Sequence, residues 1–400
     1  MPTIAIYNSI SGSGTGQTFF ESHVLPFISQ ISSIHSTSHP GHAGELVLDA
    51  LEQTPISEKL TVILCSGDGT LHEIINHLSS SKHKGTRADA PPPEIRLVLV
   101  PCGTANALYS SLFPPKHPKD IETVEYKLQS VKSYLKGTHL VPLTLAITTL
   151  SPPPNDKKSR PKAIASSVVV STSLHALILH TSESLRPSIP DLSRFKVAAA
   201  QSIHKWYSSQ LKLFPIASLG YVQIYDPSTN SFVPHPDDDP DLDSIVDVAG
   251  PFAYFLSTVN VDRLEPMFRI TPLAKDITPS EATCDVMLIK PFSSPTVSMD
   301  TEETRQAFVA TSTAVLQAVY QNGTHINLRY NENGEVTTEG DGPLIVEYVR
   351  CGGWEWIPDD IDDDAHLICC DGAISTIEKG GRAVCVAATP QANAGFLVHA

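Results

Sequence analysis

The stretch TVILCSGDGTLHEIINHL, residues 61–78, joins an apolar run to a helical pattern through a glycine turn. Residues 61–65 predict a buried strand, and four apolar residues at helical spacing predict a helix with one buried face: Leu71, Ile74, Ile75 and Leu78. The turn between them places one carboxylate, Asp68, between Gly67 and Gly69. Strand, turn and helix in this order form the repeating unit of a parallel sheet covered by helices.

The same pattern occurs twice more in the first third of the chain. TIAIY (residues 3–7) leads through NSISGSGTG, and IRLVLV (residues 95–100) leads through PCGTAN, each into a helical pattern. Strands without polar alternation are typical of parallel sheets with both faces covered. Because ligands of such sheets bind at the carboxyl ends of the strands, the three glycine turns predict one shared binding edge.

The pattern changes after about residue 145. Residues 151–162, SPPPNDKKSRPK, have the composition of an exposed loop. Beyond them come many short β-type runs, with helical patterns at residues 194–211 and 302–320. The sequence therefore predicts an α/β plus all-β fold: a three-layer α/β domain with a parallel sheet at residues 1–145, and a β-sandwich at residues 146–400.

Composition argues against several classes of protein. The 400 residues carry a net charge of −15 and no cluster of Lys and Arg, so DNA and RNA are not expected partners. No apolar run approaches the roughly 20 residues of a membrane helix, and the N-terminus lacks the pattern of a signal peptide. Five of the seven cysteines are scattered and two are adjacent, so reduced thiols and a cytoplasmic location are expected.

The glycine turns are suited to phosphate, which backbone N–H groups and helix N-termini bind. Two standard nucleotide loops are not matched. Gly12-x-Gly14 lacks the third glycine of a dinucleotide fingerprint, and the first lysine in the chain, Lys59, comes too late for a Walker A loop. The simpler interpretation is that these glycines only permit tight turns.

Asp68 is the candidate catalytic residue. A carboxylate between two glycines at the end of a strand lets the backbone approach a ligand, and it can accept a proton from an attacking hydroxyl or hold a Mg²⁺-bound water. A helix N-cap would also explain an aspartate here. Capping does not require glycine on both sides, which favours a functional role.

Four blocks in the first domain resemble the diacylglycerol kinase catalytic-domain family, which includes sphingosine (long-chain base) kinases, ceramide kinase and bacterial lipid kinases. YNSISGSGTG is similar to the family's nucleotide loop, TSHPGHAGEL to its Thr…Gly-His-Ala segment, SGDGTLHEIINHL to its G-G-D-G-T signature, and VPCGTANALYSSL to its P-x-G-T-x-N-D block. The resemblance implies ATP and Mg²⁺ as cofactors, a nucleotide-binding first domain and a lipid-binding second domain. It also implies nucleotide contacts from Asn8, Ser11, Gly12, Gly14, Thr37, His42, Ser66, Gly67, Gly69, Thr70, Gly103, Thr104 and Asn106.

The resemblance continues more weakly into the second domain. SESLRPSIPDLSRF looks like the Ser-Glu-x-x-Arg stretch of sphingoid-base kinases, which implies phosphate or substrate contacts from four residues: His180, Glu183, Arg186 and Arg194. Two arginines suit phosphate neutralisation, and surface ion pairs are the alternative. The family's terminal Asp-Gly-Glu motif aligns with residues 371–373, which implies a nucleotide or metal role for Asp371. The motif could instead align with EGDGP, which would place Asp341 in that role.

Three departures from the family pattern affect the expected function. Ala373 replaces the terminal glutamate, Ser9 stands where the family usually has proline, and Leu179 occupies the position of the aspartate that reads the lipid's amino alcohol. The resemblance implies an ATP-dependent lipid kinase acting on a sphingoid base or diacylglycerol, with an apolar lipid pocket between the domains and transient, peripheral contact with intracellular membranes. One alternative is a nucleotide-binding protein with impaired catalysis. The other is an NAD kinase, but that family does not explain PCGTANALYSSL or the Ser-Glu-x-x-Arg stretch.

Overall fold

The structure is a computed structural model that describes residues 2–12, 14–28, 30–82, 84, 87–88, 93–137, 139–156, 158–189, 193–239, 244–389 and 395–400. Its helices are α1 Gly16–Phe19, α2 His42–Gln53, α3 Asp68–Ser80, α4 Ala107–Leu112, α5 Val124–Lys127, α6 Gln129–Lys136, α7 Ser173–Leu185, α8 Ser193–Ser202, α9 Leu273–Asp276 and α10 Glu302–Tyr320. Its strands are β1 Thr3–Tyr7, β2 Ser33–Ser36, β3 Leu60–Ser66, β4 Ile95–Pro101, β5 Leu140–Pro142, β6 Leu145–Ser151, β7 Lys162–Ser166, β8 Val169–Thr172, β9 Ser209–Phe214, β10 Gln223–Asp226, β11 Ser231–Pro234, β12 Val246–Ala249, β13 Tyr254–Thr258, β14 Cys284–Ile289, β15 Arg329–Tyr330, β16 Val336–Thr337, β17 Glu347–Cys351, β18 Gly353–Pro358, β19 Leu367–Cys370, β20 Ala373–Thr376, β21 Arg382–Ala388 and β22 Phe396–His399.

The first sheet has the strand order β2-β1-β3-β4-β22-β5. β1 pairs in parallel with β2 and β3, and β3 pairs in parallel with β4. The predicted parallel sheet is therefore confirmed. Since the strands run in the same direction, β1, β3 and β4 end at one edge, and each leads into a glycine turn there.

Side chains of this sheet alternate between two buried faces. Ile6 of β1 lies in an apolar cluster with Val47 of α2 and residues of α3. Its neighbour Ala5 points to the other face, where it lies in a cluster with Phe20. Both faces are thus shielded from water, which explains why the strands lack polar alternation and confirms the three-layer arrangement.

Two antiparallel sheets build the second part of the chain, in the orders β11-β10-β17-β14-β13-β8-β19-β20 and β12-β9-β18-β21-β6-β7. Phe255 of β13 in one sheet contacts Trp354 and Trp356 of β18 in the other, with ring centroids 4.9 Å and 5.1 Å apart. One apolar cluster contains residues of both sheets. The predicted β-sandwich is therefore confirmed.

Three elements differ from the sequence prediction. The helix α7 was not predicted, and α8 ends at Ser202 with β9 beginning at Ser209, so the helix predicted over residues 194–211 was too long. The C-terminal strand β22 pairs in parallel with β4, so the chain returns to the first sheet after completing the sandwich. The domain division at residue 145 stays a prediction.

The cysteines form no disulfide in the structure. All seven cysteines are free and buried. Within the described part of the chain, no helix combines the length and the apolar character that crossing a bilayer requires.

Candidate active site

The three glycine turns meet at the carboxyl edge of the first sheet. A Cβ on Gly103 would lie 2.4 Å from the Cα of Gly67, and a Cβ on Gly67 would lie 2.9 Å from the Cα of Gly103. Gly12 has a φ of +56°, and a Cβ there would lie 2.4 Å from the carbonyl oxygen of Cys102. Contact between backbones therefore requires glycine at these three positions.

Gly69 differs from the other glycines of the edge. Apart from its chain neighbours and the backbone of its own helix, no described atom lies within 4 Å of the place that its Cβ would occupy. Its backbone is not in the left-handed region. It is exposed in the first turn of α3. Since neither packing nor backbone conformation demands glycine, the open space at Gly69 fits a ligand that approaches the N-terminus of α3, as a nucleotide phosphate does.

Asp68 is the first residue of α3 and is half-buried. Its Oδ2 accepts a hydrogen bond of 2.7 Å from the backbone N–H of Ala107, and its Oδ1 accepts one of 3.2 Å from Leu108. The carboxylate thus binds the N-terminus of α4 and does not cap its own helix. Two amide donors leave the remaining lone pairs of the carboxylate for a ligand.

The pKa of Asp68 suits a base near neutral pH. Burial raises this pKa from 3.8 to about 6, the negative charge of Asp371 raises it further, and the hydrogen bonds from Ala107 and Leu108 oppose the rise. A carboxylate with this pKa is mostly ionised at pH 7 and still has an appreciable affinity for a proton. Perturbed values of this kind are concentrated at functional sites.

Side-chain amides and hydroxyls fix the turns around Asp68. Asn8 Nδ2 donates to Thr70 Oγ1 at 3.1 Å, and Thr70 Oγ1 shares a short hydrogen bond with Ser66 Oγ. Asn106 closes the third turn, since its Oδ1 accepts from the backbone N–H of Gly103 and its Nδ2 donates to the carbonyl of Gly103, both at 2.9 Å. These four side chains hold the turns together, and a direct nucleotide contact from any of them stays a prediction.

The remaining predicted nucleotide residues also lie at the carboxyl edge. Ser11 and Gly14 belong to the turn after β1, and Thr104 is exposed in the turn after β4. Thr37 follows β2, and its backbone N–H donates to Tyr7 at the end of β1. His42 is the first residue of α2. The structure therefore brings the predicted residues of the first domain to one edge.

Asp371 lies in the turn between β19 and β20, and its side chain is fully enclosed. Its Oδ1 accepts from the backbone N–H groups of Val168 and Val169, both at 2.9 Å, and its Oδ2 accepts from Ser167 at 2.7 Å. The Nδ1 of His72 lies 3.3 Å from Oδ2. Because protein groups surround this carboxylate on several sides, a structural role explains it, and a metal or nucleotide role stays a prediction.

Two residues of α3 that the sequence did not single out contact residues of the predicted second domain. His72 contacts Asp371, and Asn76 binds the backbone of Ala165 twice, with Nδ2 donating to the carbonyl at 2.8 Å and Oδ1 accepting from the N–H at 2.9 Å. Asp68, His72 and Asn76 are four residues apart and share one face of the helix. This polar stripe, beside the apolar face of α3, is the sequence pattern that could have identified His72 and Asn76.

The second-domain residues predicted to meet phosphate or substrate lie on α7 and α8. Arg186 Nη2 donates to Glu183 Oε1 at 2.7 Å, and both side chains are more than half exposed, at 57% and 56%. The structure therefore shows a surface ion pair between Arg186 and Glu183, which was the alternative to a phosphate contact. His180 is exposed on α7. Arg194 is buried on α8 with its guanidinium 4.4 Å from the ring centre of Phe195, and its phosphate role stays a prediction.

A groove of about 620 Å³ lies between the segment after α4 and the region from β13 to α10. Its lining includes four cations and two carboxylates: Lys116, Arg263, Arg269, Lys275, Asp262 and Asp276. Asp262 pairs with Arg263 and Arg269 at 2.9 Å and 2.8 Å. This groove is therefore charged, and the apolar lipid pocket expected between the domains stays a prediction.

The residues at the edge fit Mg²⁺ in the manner usual for phosphoryl transfer, with one or two carboxylates and the nucleotide phosphates as ligands. Asp68 supplies a carboxylate with free lone pairs next to the open space at Gly69. The carboxylate of Asp371 is occupied by protein donors. Of the two predicted metal residues, Asp68 therefore has the carboxylate with fewer protein donors, and a metal contact from either residue stays a prediction.

The chain is similar to known proteins over part of its length. Human sphingosine kinase 2 is 31% identical over 108 residues, which are 26% of this chain and 15% of that protein. Human sphingosine kinase 1 is 30% identical over 116 residues, which are 27% of each chain. This chain thus matches less than a third of the length of either relative.

Among solved structures, a putative diacylglycerol kinase from Bacillus anthracis str. Sterne is 14% identical, with 99% of this chain and 94% of that chain covered and a TM-score of 0.48. Residues 2–135 match the family described as diacylglycerol kinase catalytic domain. That segment contains all three glycine turns and Asp68. The similarity to the diacylglycerol kinase catalytic-domain family is therefore established for residues 2–135, about a third of the chain.

Proposed function

We propose that the protein is an ATP-dependent kinase that transfers the γ-phosphoryl group to a lipid hydroxyl. Asp68 carries this proposal, because it has a pKa of about 6 and lies next to the open glycine position at the end of β3. The two human relatives are named for sphingosine, which favours a sphingoid base over diacylglycerol. A lipid substrate implies transient contact with a membrane surface.

In the proposed reaction, Asp68 accepts the proton of the attacking hydroxyl as the new oxygen–phosphorus bond forms and ADP leaves. The amides of Ala107 and Leu108 hold the carboxylate in place, so it does not reorient during transfer. The N-terminus of α3, open at Gly69, favours the negative charge of phosphate. When bound, Mg²⁺ neutralises charge on the phosphates.

The direct test is a transfer assay with purified protein, radiolabelled ATP, Mg²⁺ and a panel containing sphingosine, diacylglycerol and ceramide. Label in one of these lipids supports the proposal and identifies the substrate class. Replacing the lipid with NAD⁺ tests the NAD kinase alternative. Absence of label in every lipid, with protein shown to be folded, would contradict the proposal.

Transfer activity is expected to fall as the pH drops below about 6. A protonated Asp68 cannot accept the hydroxyl proton, and its pKa is raised to about 6 by burial. Well below that pH, kcat/KM should decrease roughly tenfold per pH unit. The measurement is a pH–rate profile at constant ionic strength, with circular dichroism at each pH to confirm folding. A flat profile between pH 7.5 and pH 5 would rule out Asp68 as the base.

Gly69→Ala is expected to weaken ATP binding about tenfold, a loss of about 1.4 kcal/mol, while the protein stays folded. The added methyl group meets no protein atom within 4 Å and occupies the space assigned to phosphate. Gly103→Ala is the contrasting variant, because its Cβ would lie 2.4 Å from Gly67 and should destabilise the fold. Calorimetric titration measures ATP affinity, and thermal unfolding measures stability. Unchanged ATP affinity in Gly69→Ala would show that phosphate does not bind in the space at Gly69.

A nucleotide-binding protein with impaired catalysis is the second candidate. It is favoured by the enclosure of Asp371 by backbone amides and by Ala373, where the family pattern has glutamate. The same experiments separate the two candidates. ATP binding by calorimetry without label in any lipid would support impaired catalysis.

A further inference from the structure

Three side chains at the N-terminal end of α2 converge on one point. His39 lies in the turn before the helix, and His42 and Glu45 lie in its first turn. One potential ligand atom from each side chain lies within 4.8 Å of the others. His39 Nε2 is 3.8 Å from Glu45 Oε2, and the rings of His39 and His42 are 4.7 Å apart with an angle of 20° between them.

These distances are close to those of a metal site. Zn²⁺ binds imidazole nitrogen and carboxylate oxygen at about 2.0–2.2 Å, which places ligands of a tetrahedral ion roughly 3.4 Å apart. The separation of 3.8 Å between His39 and Glu45 requires only a small side-chain adjustment. Both side chains are 51% exposed, so an ion reaches them from solvent.

The hydrogen bonds of both rings are compatible with ligation through Nε2. His39 Nδ1 lies 3.0 Å from the carbonyl oxygen of Pro40, and donation there leaves Nε2 with its lone pair free. His42 Nδ1 lies 3.0 Å from Ser38 Oγ, which accepts when Nδ1 carries the proton. That tautomer gives up the 3.1 Å hydrogen bond from the backbone N–H of Ser38. Metal-binding histidines commonly donate their second ring N–H in this way.

The backbone that carries these side chains is fixed by packing. Gly41, the residue before α2, donates its N–H to Glu73 Oε2 of α3 at 3.0 Å. Ala43 and Val47 of α2 are fully buried. The ligands therefore project from a helix end that is already ordered, which lowers the entropic cost of binding.

We propose that His39, His42 and Glu45 form a binding site for a divalent transition-metal ion of the Zn²⁺ type, with a fourth position open to solvent. Two imidazoles and one carboxylate favour Zn²⁺, Co²⁺ or Ni²⁺ over Mg²⁺ and Ca²⁺, which prefer oxygen ligands. The three ligands lie in the turn after β2 and the first turn of α2 and do not include Asp68. His42 is also one of the predicted nucleotide residues.

The test is titration of the metal-free full chain with Co²⁺, followed by absorption spectroscopy, and with Zn²⁺, followed by calorimetry. The wild type should bind one equivalent with the visible bands of four- or five-coordinate Co²⁺. His39→Ala and His42→Ala should each weaken binding at least about tenfold. Glu45→Gln tests the exposed carboxylate with little risk to folding, and it should also weaken binding.

His117→Ala is the matched control, because it removes an exposed histidine from a different segment and should bind Co²⁺ like the wild type. Excess Mg²⁺ should not displace the bound ion. Binding that is absent in the wild type, or unchanged in the His39, His42 and Glu45 variants, would overturn the proposal. An intense thiolate-to-cobalt band would also overturn it, since that band would assign the ion to cysteine.

Discussion

Asp68→Asn is expected to reduce label transfer from ATP to lipid by about 10²–10⁴-fold, the usual contribution of a general base. The amide that replaces the carboxylate cannot accept the hydroxyl proton. Its side chain can still accept one of the two hydrogen bonds that Ala107 and Leu108 donate to Asp68. ATP binding should therefore persist while transfer is lost. The measurement is the initial rate of transfer at saturating ATP.

Asp49→Asn is the control for this prediction. Asp49 is an exposed residue of α2, and the same chemical change there should leave transfer within about twofold of the wild type, as surface substitutions usually do. Transfer by Asp68→Asn at more than half the wild-type rate would show that another group accepts the proton.

Asp371→Ala is expected to lower the free energy of unfolding by at least about 3 kcal/mol, because each of three buried donors left without a partner costs about 1–3 kcal/mol. The substitution removes the acceptor for the N–H groups of Ser167, Val168 and Val169. It also places alanine at a φ of +50°, which aspartate tolerates better. The measurement is urea unfolding followed by tryptophan fluorescence.

Asp341→Ala provides the comparison, because Asp341 belongs to the competing EGDGP register and is exposed. Its effect on unfolding should be under about 0.5 kcal/mol. If Asp371→Ala instead unfolds like the wild type and requires much more Mg²⁺ for activity, then Asp371 is a metal ligand and not a structural acceptor.

Much of the fold could be predicted from short segments. The strands at residues 3–7, 60–66 and 95–101 are mostly apolar and lack polar alternation because both faces of their sheet are covered. Glycines at their ends marked the turns, and Asp68 became the candidate catalytic residue because it is the one carboxylate among them. The sandwich was predicted from short β-type runs separated by turn residues.

Two elements could not be predicted from their own sequences. One is compatible with either a helix or a strand, and the other pairs with a distant part of the chain. The helix α7 contains LHALILH, an apolar run whose periodicity does not separate a buried strand from a buried helix. The strand β22 is short and follows residues outside the described part of the chain, and its partner β4 lies some 300 positions earlier. No local signal specifies such a pairing.

The candidate site shows the same division between local and long-range information. Local sequence was sufficient for the glycine turns and for Asp68, because turn geometry and strand burial depend on neighbouring residues. It did not reveal that Asp68 binds the N-terminus of α4, or that His72 contacts Asp371 almost 300 residues away. Only the folded chain brings those groups together. Burial of the two carboxylates, more than their residue type, sets the pKa of Asp68 and the role of Asp371.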